Sequence, residues 1–510
     1  MKTKIIALLL IILFAAVVFS YNLSHWPMIW YDEGLHLQAA KNLAISGRYG
    51  INSTEGFRVF DPLITTGPTV LVPIALIFKL FGIHLLWARA VIVLYALLVV
   101  FAYFLVAEKL FNLNTAIVAS LLLITLSASL DDISGSFLAL SRMVMGEVPA
   151  LFWMLIGSYF WFRHLSKEGY VALTVAGFCF GLAVVTKPQY LLVIVTFLMI
   201  YVVDRIWYRQ LRIRQVIIPI AISIAITAVW YAYQSSQSAT NYIGQAAILD
   251  RIGGQISLFN FSLIVRSTRV LLASGVLVWG VPGLIYGLFK SKERDILGIQ
   301  RGFFIIFCLL WFFWYIFGSI SWIRYAFPSI AIMILYMALL LVDLTENFVF
   351  TKWRPRPGVG VPVGELRIVK SLAVTVAVIM MVIVPLEVRL KDVFTASDNS
   401  PEAIASYLQQ NVPSGIVVET MEPEIAFLSD RNFHQPTLDI QNGAVRFVQL
   451  GQPYPPDFYP RDSINANYLV LGPYGKWTQL YEGWLEEGHF TPVISIGGYD
   501  LYKLNGDSSP

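Results

Sequence analysis

The 510-residue chain is poor in charge: Asp, Glu, Lys and Arg make up only 13% of it, while 57% is hydrophobic. Soluble domains carry about a quarter charged residues, so this balance excludes a soluble enzyme and leaves a multi-spanning membrane protein. Cysteine is scarcer still. The two present, Cys179 and Cys308, both lie inside apolar runs, which excludes a disulfide framework or a cysteine-based metal site and makes them small core residues. No basic stretch interleaved with aromatics suits a nucleic acid, so none is expected as a partner. There is no P-loop, and no glycine-rich dinucleotide fingerprint between a strand and a helix. The formal charge of +4 comes from Lys and Arg gathered in particular loops, a pattern of membrane orientation.

What the chain does have is long apolar runs. Segments able to cross about 30 Å of hydrocarbon occur near 5–20, 88–107, 115–130, 146–162, 170–186, 189–204, 215–233, 270–289, 302–320, 325–343 and 371–388, which predicts about eleven spans. With Lys2 and Lys4 in the cytoplasm, Lys109, Arg163, Arg205, Lys290, Arg301 and the basic residues of 352–370 also fall inside, as the positive-inside rule requires. The first run has the Lys-flanked apolar core of a secretory leader, but no A-x-A-like site follows it. This placement turns outward the loop 21–87, the short loop 131–142, the loop 234–269 and everything beyond about Arg389.

The first outer loop reads as two short helices on the membrane. One runs from about Glu33 to Ser46 and stops at Gly47; the other, PTVLVPIALIFKLF over 68–81, is too short to span, is capped by Thr65 or Thr66 and ends at Gly82. The loop 234–269, with Tyr242, Asp250, Arg251 and Arg266, is either a mobile lid or a plain surface loop. The inner stretch WRPRPGVGVPVGE is a Pro/Gly linker facing lipid headgroups. Past Arg389 come a helix opened by Ser400-Pro401, strands at GIVVET, YLVLGP and YDLYKL, and a helix at KWTQLYEGWLEEG. The expected architecture is therefore an all-α polytopic membrane domain over 1–388 and a small extracytoplasmic α/β domain over 389–510.

The outward face gathers unusual chemistry. Asp32 and Glu33 stand side by side in WYDEGLHL. Asp32 is either the N-cap of a helix beginning at Glu33 or a general base for a hydroxyl or amine. Glu33 is placed to orient the acceptor or tune Asp32, since neighbouring like charges raise one pKa. His36 lies one turn after Asp32, as surface packing or as a supporting hydrogen bond or metal ligand. Arg142, Lys187 and Arg324 all fall at outer ends of spans. Each has the ordinary reading of a cation reaching for headgroups, but together they suit an anchored phosphate, with Arg supplying forked donors and Lys a point charge. Glu147, at the start of its helix, suits the macrodipole and is placed to hold Arg142. Asp61 is an acceptor contact or a loop acid.

YDEG in the first outer loop, R-x-M-x-x-x-E before the fourth span, GLAVVTK closing the fifth and RYAFP opening the tenth resemble the polyprenyl-phosphate-sugar-dependent membrane glycosyltransferases of the GT-C fold. That class contains protein O-mannosyltransferases and lipid A aminoarabinose transferases, and the resemblance covers about residues 1–345. It implies inverting transfer from a polyprenyl-phosphate sugar to an extracytoplasmic glycan, lipid or protein acceptor, among membrane lipids, in a multi-pass protein of a prokaryotic plasma membrane. Asp32 would be the base, and Arg142, Lys187 and Arg324 would stabilise the leaving phosphate. The scheme requires no cofactor and no divalent metal, although relatives that transfer whole oligosaccharides use one. Three other readings stand beside it: an oligosaccharyltransferase or ligase-type enzyme of the same fold, a polytopic transporter, and a non-catalytic envelope-assembly protein.

Overall fold

A computed structural model of the chain describes residues 2–54, 56–60, 66–129, 132–167, 169–237, 258–348, 363–461 and 464–505. Asp61, Thr65, Asp131, the lid residues Tyr242, Asp250 and Arg251, and the inner linker up to residue 362 lie outside the described residues.

The chain is an integral membrane protein, mostly helical. Its helices are α1 (Lys2–Ser20), α2 (Tyr31–Ser46), α3 (Pro68–Phe81), α4 (Leu85–Leu110), α5 (Leu113–Ile124), α6 (Phe137–Leu140), α7 (Glu147–Lys167), α8 (Tyr170–Thr186), α9 (Leu192–Val203), α10 (Arg214–Gln237), α11 (Phe261–Ala273), α12 (Val276–Lys290), α13 (Ile296–Gly318), α14 (Phe327–Leu344) and α15 (Val363–Thr395). Among the described residues seven helical stretches are long and apolar enough to cross a membrane alone, and α11 with α12, bent by 90°, makes an eighth. The expected eleven is thus an overcount by this measure. Helix α5 has 12 residues, about 18 Å of rise, and stops before the Ser127–Ser136 bridge, while α7 carries charge at both ends. The span expected at 270–289 is instead the second arm of a bent pair.

Local chemistry sets the ends that matter. Pro188 disfavours helical geometry in the residue before it, so α8 stops at Thr186 and Lys187 is extended, at φ −142° and ψ 111°. Helix α3 starts after Gly67, not after a capping threonine, with Pro68 in its first turn. Aromatic rings fill the bundle centre, where Phe303 meets Trp161, Phe180 and Phe197.

The C-terminal unit holds α16 (Ser400–Asn411), α17 (Pro423–Leu428), α18 (Leu438–Leu450), α19 (Pro473–Thr478) and α20 (Glu482–Glu486). The helix expected over KWTQLYEGWLEEG is broken into α19 and α20 at Gln479, which is left-handed at φ 56°. After the hairpin of β1 (Gly50–Ser53) and β2 (Gly56–Val59), the remaining strands are β3 (Val417–Thr420), β4 (Asn432–His434), β5 (Tyr468–Leu471), β6 (Phe490–Ile496) and β7 (Tyr499–Leu504), in one mixed sheet of order β4-β3-β5-β7-β6. Strands β4, β3 and β5 run parallel, and β7 is antiparallel to both β5 and β6.

This unit is docked on α2. Gln38 Nε2 donates to the Pro423 carbonyl at 2.6 Å, Gln435 Nε2 donates to Gln38 Oε1 at 3.2 Å, and Thr54 N–H donates to the Phe433 carbonyl at 3.1 Å. Gly34 permits the approach: a Cβ there would land on the backbone of Glu424. Tyr31 and Tyr474 stack with ring centroids 3.8 Å apart.

Candidate active site

Where α2, the ends of the spanning helices and the C-terminal sheet unit meet, their side chains line a cavity. Its floor is Asp32, Lys187, Arg324 and Tyr325, and its roof comes from α18 and α19, including Asn442, Tyr474 and Trp477.

Four charges meet at the floor. Arg324 Nη2 reaches Asp32 Oδ2 at 2.5 Å, Lys187 Nζ reaches Glu147 Oε1 at 3.0 Å, and Arg324 Nε lies 4.0 Å from the same oxygen. Arg324 is buried, and its Nε and Nη1 have no hydrogen-bond partner among the described residues. Buried donors without partners are costly, so a cation held this way is prepared for an anion. Its guanidinium also faces the ring of Trp322 at 4.2 Å, and Lys187 lies 5.9 Å from the centre of the Tyr325 ring. Of the quartet, Arg324 and Glu147 side chains are each 4% exposed, Lys187 10% and Asp32 22%. Asp32 is therefore the carboxylate open to the cavity.

The two adjacent acids part company. Trp30 is the N-cap of α2, so Asp32 sits inside the first turn and is not the cap. One residue along a helix turns the side chain by about 100°, and Glu33 points into the core. There it receives both arms of Arg89, Nε at 2.9 Å and Nη2 at 2.7 Å, and the Val144 N–H at 3.0 Å. Both partners are completely buried. Glu33 is thus turned away from the cavity and does not face Asp32's chemistry, contrary to the expectation.

Arg142 is likewise not at the floor. It is buried and donates to the carbonyls of Trp26 (2.9 Å), Val18 (3.2 Å) and Tyr21 (2.5 Å). Arg89 adds a donation to the Leu23 carbonyl at 2.8 Å, so the two arginines together satisfy carbonyls where α1 ends and the chain turns towards α2. Glu147 pairs with Lys187 and Arg324, not with Arg142. Its place at the start of α7 and the extended Lys187 before Pro188 bring the two within reach.

His36 is a buttress that borders the cavity. Its Nδ1 is 2.6 Å from the Val144 carbonyl and its Nε2 accepts the Thr66 N–H at 3.4 Å, which assigns a neutral ring with the proton on Nδ1. Burial pushes its pKa down to about 4, although Asp32 and the Val144 carbonyl pull the other way. Both nitrogens are thus engaged, and the described residues contain no group of three or more His, Cys, Asp or Glu that could hold a metal ion.

Residues 68–243 match the family model described as dolichyl-phosphate-mannose-protein mannosyltransferase. ArnT from Cupriavidus metallidurans, in a crystal structure bound to undecaprenyl phosphate, superposes with a TM-score of 0.64 at 15% identity, covering 98% of this chain and 99% of that one. The archaeal oligosaccharyltransferase AglB from Archaeoglobus fulgidus, in complex with an inhibitory peptide and a dolichol-phosphate, gives a TM-score of 0.60 at 13% identity, over 99% and 75% of the two chains. A protein of Aquifex aeolicus (strain VF5), itself uncharacterized, is 27% identical over 184 residues, 35% of this chain and 34% of that protein. The match therefore spans about a third of that relative's length. The chain has the GT-C fold, with a small C-terminal sheet domain.

Proposed function

We propose that this GT-C protein is an inverting glycosyltransferase that moves a sugar from a polyprenyl-phosphate carrier to a glycan, lipid or protein acceptor at the extracytoplasmic face of a prokaryotic plasma membrane. The observation that carries the reading is the floor of the cavity: Arg324, with two donors lacking a hydrogen-bond partner among the described residues, and Lys187 lie beside the partly exposed carboxylate of Asp32, at the ends of apolar helices. A lipid-anchored phosphate arrives at that depth because its tail stays in the bilayer.

In the reaction the acceptor oxygen attacks the anomeric carbon from the side opposite the phosphate. Its proton passes to an oxygen of Asp32, the bond between the anomeric carbon and the phosphate oxygen breaks, and its electron pair leaves with the polyprenyl phosphate. Arg324 meets the phosphate through Nη1 while Nη2 keeps its bond to Asp32 and Nε faces Glu147. Lys187 adds a point charge where negative charge grows, the place where fixed donors lower a barrier most. Glu147 holds both cations in place. These steps use only side chains of this chain. The ArnT and AglB structures, with undecaprenyl phosphate and dolichol-phosphate respectively, favour the same class of donor.

The deciding experiment is Asp32→Asn, in equal amounts of folded protein in nanodiscs, given decaprenyl-phosphate-linked sugars and a membrane preparation as acceptor. Loss of a general base costs about 10²- to 10⁴-fold. The variant should bind sugar-free decaprenyl phosphate while transfer collapses. Transfer within about threefold of wild type, well short of that loss, would remove Asp32 from the chemistry.

A further inference from the structure

The roof of the cavity lies more than a hundred residues beyond Arg324 in sequence, and one face of α18 is turned into it. Gln441, Asn442, Val445, Val448 and Gln449 all line the cavity, at the i, i+1, i+4, i+7 and i+8 spacing of a single helical stripe. Two of the three amides are already committed. Gln441 Nε2 donates to the Pro436 carbonyl at 2.8 Å, and Gln449 Oε1 accepts from Arg266 Nη1 at 3.3 Å. Asn442 is different: it is 5% exposed, and its Nδ2 has no hydrogen-bond partner among the described residues. Trp477, which lines the same cavity, is 46% exposed and stands edge-on to Tyr474, with centroids 5.9 Å apart.

A buried amide donor without a partner, in one cavity with an open indole face, is the chemistry that recognises a sugar ring: one hydrogen bond to a hydroxyl or acyl oxygen, and an apolar surface for the C–H face. We infer that the C-terminal domain reads the glycosyl group, with Asn442 as its specificity-determining residue and Trp477 as its stacking platform. This rests on the transfer reading, because the phosphate subsite on the floor places a sugar under this roof. The glycosyl group is that of the donor or of a glycan acceptor, two sources of the same chemistry.

The test compares wild type, Asn442→Ala and Trp477→Ala, the last at an exposed site where folding is least at risk. Binding is measured to decaprenyl phosphate alone and to decaprenyl-phosphate-linked glucose, mannose, galactose and N-acetylglucosamine, the last three each differing from glucose at a single carbon. Transfer into the membrane preparation gives the apparent KM for acceptor. A neutral hydrogen bond corresponds to about three- to tenfold. The expected result is a loss of that size in affinity for the preferred lipid-linked sugar, flattening the ranking of the four, with binding of the sugar-free lipid unchanged as the check on folding. The same loss confined to the acceptor KM also supports the inference and assigns the subsite to the acceptor glycan. A donor ranking and acceptor KM within twofold of wild type in both variants would overturn it while leaving the transfer reading intact. A wild-type protein that neither binds decaprenyl phosphate nor transfers from any of the donors would overturn the transfer reading, and this inference with it.

Discussion

Glu33→Gln should unfold the protein where its neighbour Asp32→Asn should silence it. Gln keeps the size of Glu33 but removes the charge that meets Arg89 in a bidentate pair with no exposed surface on either side. Replacing a buried pair by apolar residues is often neutral, whereas removing one partner strands a buried charge at about 3–5 kcal/mol. At 1.4 kcal/mol per factor of ten, that is a roughly 10²- to 10⁴-fold shift in the ratio of folded to unfolded protein. The loss is large against a typical total of about 5–15 kcal/mol. The assay is tryptophan-fluorescence melting and limited proteolysis in nanodiscs, followed by transfer per folded molecule. Glu33→Gln should melt earlier and be cut faster, yet transfer at near wild-type rate once corrected for the folded fraction. The double variant Glu33→Leu with Arg89→Met should recover part of the stability. It should not recover all, because the Leu23 carbonyl loses the Arg89 donor. If Glu33→Gln melted like wild type while transfer vanished, Glu33 would belong to the chemistry and the assignment of the two acids would be reversed.

Arg142→Ala should behave like Glu33→Gln, destabilising the protein by leaving three carbonyls without their donor; a normal melt with weakened decaprenyl-phosphate binding would contradict that. Lys187→Ala should do the opposite, raising the apparent KM for the lipid-linked donor more than it lowers the melting temperature, as donor titrations on equal folded protein would reveal. Glu422 and Glu424 are both buried, and burial first, then the charge of Glu422, holds the Glu424 carboxyl well above the usual range. The folded protein therefore keeps a proton that the unfolded chain releases, so this contribution is full below the ordinary carboxyl pKa and is lost as pH rises through the folded value. Melting temperature should fall more steeply with rising pH in wild type than in Glu424→Gln, and equal slopes would refute this. Tags within 290–301 should be protected from outside reagents and a tag after Pro510 reachable; an accessible 352–370 segment would invert the orientation.

Sequence and structure agree where a signal is local. The capping glycine Gly47, the end of the apolar run at 186 and the presence of Asp32, Lys187 and Arg324 near the ends of apolar runs are all properties of short windows, and the structure brings those three to one cavity. Burial is not such a property. Glu33 looks as available as Asp32, and Arg142 looks like Arg324, until tertiary packing decides which faces water. Arg89 carries a signal of its own, because a lone arginine inside an apolar helix requires a partner. Asn442 and Tyr474 could not have been chosen from sequence, because nothing in α18 or α19 announces that their unit sits on α2 through Gly34 and Gln38. The family match covers Glu147 and Lys187 but stops short of both Asp32 and Arg324, so the charged floor is assembled from residues inside it and on either side of it.

The floor holds two cations and two carboxylates, and this even count bears on the fate of the carrier once the glycosidic bond has broken. A donor brings one negative charge as a phosphodiester, but the carrier left behind is a monoester able to carry two. On the proposed transfer, the same Arg324 and Lys187 would then face a stronger anion than the one they admitted. The arrangement proposed to lower the barrier would thus also make the spent carrier the tighter ligand. Turnover would be paced by departure of the lipid into the bilayer, and the size of the free carrier pool, set by how quickly the cell recharges it, would govern how much of the enzyme is at work.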